Sequence, residues 1–193
     1  FSNKMIFSLG FLIFAIDCYW ISTIFSTDIT VTSIGYPLFF NGLAQGWIFT
    51  PLVIFIINGL PAQFVGNGAL MGTATRFWTT NIGFAFAQNV TYNLLQKNYD
   101  MLQANIDLAI PKTYEKYNQV YGSFVSSNEE SLAHRLTLNN LHSEIYNQSL
   151  LLANMQLFRI YMWIALITCL FILLTVPNRN KMKKFVMKFG IYK

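Results

Sequence analysis

Charge is what this sequence has least of: only 11% of its 193 residues are Asp, Glu, Lys or Arg, against roughly 25% in soluble domains. Nothing between Ile29 and Thr75 is charged, nor anything from Phe77 to Gln96 or from Ile160 to Asn178. Runs of that length exclude an ordinary soluble core, because a hydrocarbon slab about 30 Å thick calls for about 20 mostly apolar residues per helix. Cysteine is scarce too, and Cys18 and Cys169 both sit inside apolar runs, which favours buried small hydrophobes over a disulfide. Paired metal-ligand spacings, a Walker-type nucleotide loop and a Gly-x-Ser-x-Gly elbow are all missing. The sequence therefore carries no enzyme signature and implies no cofactor and no metal. His134 and His142 are eight positions apart, too far to chelate one ion without a third element, and read as solvated loop histidines.

What is present is apolar sequence in span-sized blocks. The charge-free runs predict an all-α membrane protein with three transmembrane helices in residues 1–95, at about 5–25, 34–60 and 69–95, and a last one at 160–177. Between them, residues 96–159 hold six of the eight acids and both histidines, and form an aqueous loop. Leu102, Ile106 and Ala109 recur at helical spacing before Pro111, and Tyr114, Tyr117, Tyr121 and Phe124 do so after it, which predicts short amphipathic helices. Ser127 and Glu130 read as a capping box, opening a helix with Leu132, Leu136 and Ile145 on one stripe that can run straight into the last span. The chain opens on Phe1, and the apolar run from Met5 continues through Tyr19, Trp20 and Ile21 without a small-residue cleavage site. It reads as a fragment of a longer polypeptide rather than as a signal peptide followed by a mature chain.

Orientation follows from lysine and arginine bias. The tail, 178–193, carries Arg179, Lys181, Lys183, Lys184, Lys188 and Lys193 and no acid, so it is expected in the cytoplasm, where it can also lie on the anionic inner leaflet. Nucleic-acid binding is the rival for such a patch, but beside a membrane helix an orientation signal is simpler. The loop 96–159 is then external, Lys4 and the turn at 61–68 are internal, and Arg76 lies near the inner surface.

Among polar residues within the spans, Asp17 is the candidate for proton coupling, since an ionisable group in a span marks an ion or proton path by default. Its neighbours Tyr19 and Trp20 offer a plainer alternative, an acid reaching the interface beside an aromatic belt. Asn41, Gln45 and Asn81 can line a substrate cavity or make helix-to-helix hydrogen bonds, and Arg76 can snorkel or hold two helices together. Gly42/Gly46 and Gly68/Gly72 fit the small-x-x-x-small pattern of close helix packing.

The stretch Gly59-Leu60-Pro61, then Gly66 and Gly68, then Arg76, Gly83 and Ala85 resembles a segment of the fourteen-helix drug:proton antiporters of the EmrB/QacA type in the major facilitator superfamily. Asn41-Gly42-Leu43-Ala44-Gln45-Gly46 with Thr50-Pro51-Leu52 is similar to an earlier helix of that family, with Asn41 standing where the family often has Arg, and Thr79-Thr80 replace a glycine pair. Asn147-Gln148-Ser149 and Ala153 fall where the family's external loop ends. The resemblance implies the last four helices of fourteen, with Gly59, Pro61, Gly66, Gly68, Arg76 and Gly83 as structural motif residues. It also implies proton-coupled efflux of drug-like or amphipathic small molecules by alternating access, a place in the inner (cytoplasmic) membrane, and as partners the lipid bilayer, the missing N-terminal part, a small-molecule substrate and a periplasmic adaptor protein, with no nucleic acid. The competing reading is a four-helix membrane sensor or assembly subunit whose external loop binds a ligand or partner.

Overall fold

A computed structural model of the chain describes residues 3–26, 30–58, 63, 65–104, 111–126 and 129–175. Among these residues the protein is all helical, with α1 (Asn3–Ile24), α2 (Val31–Asn58), α3 (Val65–Ala104), α4 (Pro111–Val125) and α5 (Glu130–Thr175). Three stretches, Met5–Ile24, Thr32–Ile54 and Glu130–Leu174, are long and apolar enough to cross a membrane. The stretch expected as a third span lies in α3 and is not among them, because Arg76, Thr79, Thr80, Asn81, Gln88, Asn89 and Asn93 dilute its apolar residues.

Local signals account for the helix ends. Thr30 precedes α2, its carbonyl accepting from the Ser33 N–H at 3.0 Å and its hydroxyl meeting that of Ser33 at 2.8 Å. Pro111 opens α4, where its missing N–H is no loss. Ser127 lies outside the described residues, and α5 opens at Glu130, the Ala133 N–H donating to the Glu129 carbonyl at 2.9 Å. Glu130 is thus the first residue of its helix, two positions before the third helical position that a capping box requires. Inside α2 stand Pro37 and Pro51. Each lacks the N–H that would bond four residues back, and beside Pro51 the Thr50 hydroxyl donates to the Gly46 carbonyl at 2.8 Å.

Two helices are far longer than a bilayer core. At 1.5 Å per residue, the 40 residues of α3 span about 60 Å and the 46 of α5 about 70 Å. No separate helix begins near Leu102, since α3 continues unbroken to Ala104. Residues 96–104 contain neither Gly nor Pro to stop it.

The chain divides into two compact units, one from the described parts of Phe1–Ile24, Asp28–Phe84 and Phe158–Lys193, the other from those of Phe25–Thr27 and Ala85–Leu157. In the first, the core is built of small side chains: Ala15, Cys18 and Ser22 of α1, Ala44 of α2, and Ala165 and Cys169 of α5. Gly10 of α1 faces α2 closely, since a Cβ there would stand 2.8 Å from Ile48 Cγ1 and 3.3 Å from the Ile48 nitrogen. Gly42, Gly46 and Gly72 have nothing within 4 Å of such a Cβ, so the close packing expected at these positions is not made by the described residues. Cys18 and Cys169 are free and buried, and Cys169 Sγ lies 3.1 Å from Ser8 Oγ. The second unit packs Ala133, Thr137, Ser149, Ala153 and Leu157 of α5, with Asn98 of α3 buried beside Gln156.

Large apolar side chains point outward throughout, Met71, Phe77, Trp78 and Ile82 on α3 and Trp163, Ile167 and Leu170 on α5 among them. An apolar surface of that extent marks lipid or neighbouring helices.

Candidate functional site

Asp17 sits in the seam between α1 and α2 with 1% of its surface exposed. Its Oδ2 accepts from Asn41 Nδ2 at 2.9 Å, and Asn41 Oδ1 in turn accepts from Gln45 Nε2 at 2.7 Å. The three residues form one chain graded from buried Asp17 through half-buried Asn41 to exposed Gln45. Asn41 and Gln45 are four apart on α2 and so lie one above the other on a single face. Only Asn41 donates to the carboxylate itself, the Gln45 amide donating to Asn41. An amide N–H holds a carboxylate by donating to it, and Asn41 does so at Oδ2, leaving Oδ1 as the other acceptor of this acid. That oxygen is buried and has no hydrogen-bond partner among the described residues.

Beside this chain, between α1 and α2, lies a cavity of about 530 Å³ lined by Ile6, Leu9, Gly46, Trp47, Thr50, Pro51 and Ile54. Its walls are apolar except for Thr50. Leu9 and Asp17 are eight residues apart on α1, about 12 Å along the axis.

The remaining sequence candidates do not join this cluster. Asn81 Nδ2 donates to the Phe77 carbonyl of its own helix at 3.0 Å and stays exposed. Arg76 stacks over the Phe49 ring, 4.8 Å from its centroid, a contact between α3 and α2 of the kind cation–π attraction supports. Gly66 and Gly83 are exposed with open space about them, Gly68 is half-buried in α3, and Gly59 and Pro61 lie outside the described residues. Tyr19 and Trp20 are exposed on α1, Trp20 meeting Phe40 at 5.9 Å between ring centroids.

The histidines have separate surroundings. His134 Nδ1 lies 2.5 Å from the Tyr117 hydroxyl, whereas His142 packs against Tyr99 at 5.5 Å. Three features escaped the sequence reading: the Gly10 approach, the Ser8–Cys169 contact, and the Asn98–Gln156 amide pair. Each joins residues distant in sequence, and none has a periodic signature.

Comparison with known proteins adds the family context. The chain is 27% identical over 173 residues to the probable multidrug resistance protein EmrY of Escherichia coli, covering 90% of this chain and 31% of that protein. It is 24% identical over 136 residues to the multidrug export protein EmrB of Haemophilus influenzae, covering 69% of this chain and 27% of that protein. The chain therefore spans about a third or less of the length of these curated relatives. No family model matches it, and no solved structure does. Homology to multidrug efflux proteins over most of the chain, together with the apolar helices, makes this a multi-pass membrane protein.

Proposed function

From that homology we propose that the chain is the C-terminal part of a longer secondary transporter, exporting drug-like or amphipathic small molecules in exchange for protons by alternating access. The relatives named for multidrug resistance and export support the substrate class. The observation that carries the coupling is Asp17, a buried acid in a span-length helix whose one oxygen is held by Asn41 and whose other is buried without a hydrogen-bond partner among the described residues. Its role is to load and release the proton, while Asn41 and Gln45 fix the carboxylate. The neighbouring cavity takes the apolar body of the substrate. Asn81 lines the path from α3, and Arg76 holds α3 to α2 near the inner gate.

The membrane arrangement follows the charges. Residues 65–84 of α3 and 158–175 of α5 are about 30 and 27 Å long, each matching one hydrocarbon core, so α3 completes a fourth crossing despite its polar side. The basic tail stays in the cytoplasm, and the acid-bearing residues lie outside the inner membrane, where a periplasmic adaptor can reach them. Reconstituting the full-length protein in proteoliposomes tests the coupling. An imposed pH gradient should drive substrate movement, and Asp17→Asn should cut gradient-driven transport about tenfold or more while leaving downhill exchange. Transport indifferent to the gradient would reject proton coupling.

A further inference from the structure

The cavity between α1 and α2 has a polar side that its side chains alone do not reveal. Thr50 is its only lining residue with a hydroxyl, and Gly46 can line it with backbone alone. Nothing stands within 4 Å of a Cβ built at Gly46. Pro51, in the same wall, lacks the N–H that would bond the Trp47 carbonyl four residues back. A threonine hydroxyl can stand in for such a bond, since it reaches the carbonyls three and four residues before it. For Thr50 these are Trp47 and Gly46, and Thr50 Oγ1 donates to Gly46, at 2.8 Å. Its one hydrogen is thereby used, and the Trp47 carbonyl receives neither donor.

The Trp47 peptide also faces the seam. Its carbonyl carbon lies 3.3 Å from where a Cβ of Gly10 would stand, so α1 has no side chain to cover it, and Gly10 adjoins Leu9 of the cavity wall. In hydrocarbon no water replaces a missing donor. No charged side chain lines the cavity among the described residues, so a charged ligand gains no partner there. The polar atoms of this wall are acceptors: the Trp47 and Gly46 carbonyls and the Thr50 oxygen. Among the described lining residues the one side-chain donor left is the Trp47 indole N–H.

We infer that Pro51 makes the Trp47 carbonyl the specificity-determining contact of this cavity. It selects neutral apolar molecules that bring a hydrogen-bond donor over equally apolar ones that bring only acceptors. The inference rests on the reading that the cavity takes substrate. A ligand O–H or N–H supplies the bond that Pro51 withholds, whereas an ether oxygen meets a carbonyl lone pair and gains nothing.

Fluorescence titration of the full-length protein in lipid nanodiscs tests this. The probes are 9-anthracenemethanol and its methyl ether, read by energy transfer from tryptophan, with empty nanodiscs as the blank. The alcohol should bind saturably and about fivefold more tightly than the ether, the scale of one hydrogen bond. Pro51→Ala returns an N–H to the Trp47 carbonyl and should bring the two probes within about twofold of each other. A change of cavity shape alone would move both affinities together. Thr50→Val and Trp47→Phe reshape the wall and should do only that, keeping the ratio. Gly46→Leu fills the cavity and should abolish saturable binding of both probes. Equal affinities for the intact protein would overturn donor selection while leaving the cavity as a substrate site, and this comparison stands even if Pro51→Ala does not fold. A preference lost in Thr50→Val or Trp47→Phe, or kept in Pro51→Ala with unchanged far-UV circular dichroism, would overturn the role of the Trp47 carbonyl. Saturable binding untouched by Gly46→Leu, or none to the intact protein, would overturn the substrate reading of the cavity together with the inference.

Discussion

Two residues show how much of the helix seam depends on single atoms. Gly10 faces Ile48 so closely that a methyl group would overlap Cγ1 at 2.8 Å and press the backbone at 3.3 Å. The side chain can move, but the backbone can give only by shifting α1 against α2. Gly10→Ala should therefore destabilise the chain in detergent by ~1–3 kcal/mol, the range for an overpacked contact. Gly46→Ala, which meets nothing within 4 Å, should change stability by less than about 0.5 kcal/mol or raise it slightly through helix propensity. Denaturant midpoints of the two variants decide the matter, and equal losses would contradict the seam. The sequence pattern pointed the other way, to Gly42 and Gly46 as the packing pair. Spacing of small residues reports where backbones could meet, whereas the meeting depends on the partner helix, which no i, i+4 rule identifies. Asp17, Asn41 and Gln45 were each legible as polar residues in apolar runs. Their assembly into one hydrogen-bonded chain was not, because Asp17 and Asn41 are 24 residues apart and only the packing of α1 on α2 brings them together.

At the level of elements, charge patterning gave the solvent boundary better than it gave the helix boundary. Lys97 and Asp100 end the charge-free run, so the loop reading began at residue 96, yet α3 passes through to Ala104. Charges change what surrounds a helix without interrupting its backbone bonds; only Gly, Pro or a competing cap does that. The same logic made α5 readable as one helix from the acidic loop into the last apolar run. These two long helices are tied in the second unit by a reciprocal amide pair, Asn98 Nδ2 donating to Gln156 Oε1 at 3.2 Å and Gln156 Nε2 to Asn98 Oδ1 at 3.5 Å. Asn98 is 2% exposed. Asn98→Ala leaves the Gln156 amide half-buried without its partner, and should cost ~1–3 kcal/mol. Replacing both residues by Leu removes the unpaired groups as well as the bond, so the double variant should lose clearly less than the sum of the single ones. Strict additivity in a denaturant series would mean that the pair is not a unit. By contrast, the exposed Lys116–Glu144 pair should contribute under about 1 kcal/mol and fade with salt.

For the whole molecule, the membrane orientation is the inference on which the placement of Asp17 depends. It rests on six cations without an acid in 178–193, against a near-balance in 96–159. Basic residues near the end of a span hold it on the cytoplasmic side, and acids exert little control. A membrane-impermeant maleimide applied to intact cells can read this directly. The native cysteines do not interfere, because Cys18 and Cys169 are 0% and 4% exposed and a thiol must be accessible to react. Ser131→Cys places a reporter on an exposed residue at the start of α5, and should label from outside. Lys188→Cys should label only after the cells are permeabilised. A single lysine lost from six cations leaves the bias intact, so the reporter does not itself invert the chain. The reverse pattern would turn every span over, putting Asp17 in the inner half of α1. Labelling of both reporters in intact cells would instead mean that the two segments share one face. That requires an even number of crossings between them, which a single pass of α5 through residues 158–175 cannot supply. The two outcomes therefore distinguish an inverted chain from a misplaced last crossing.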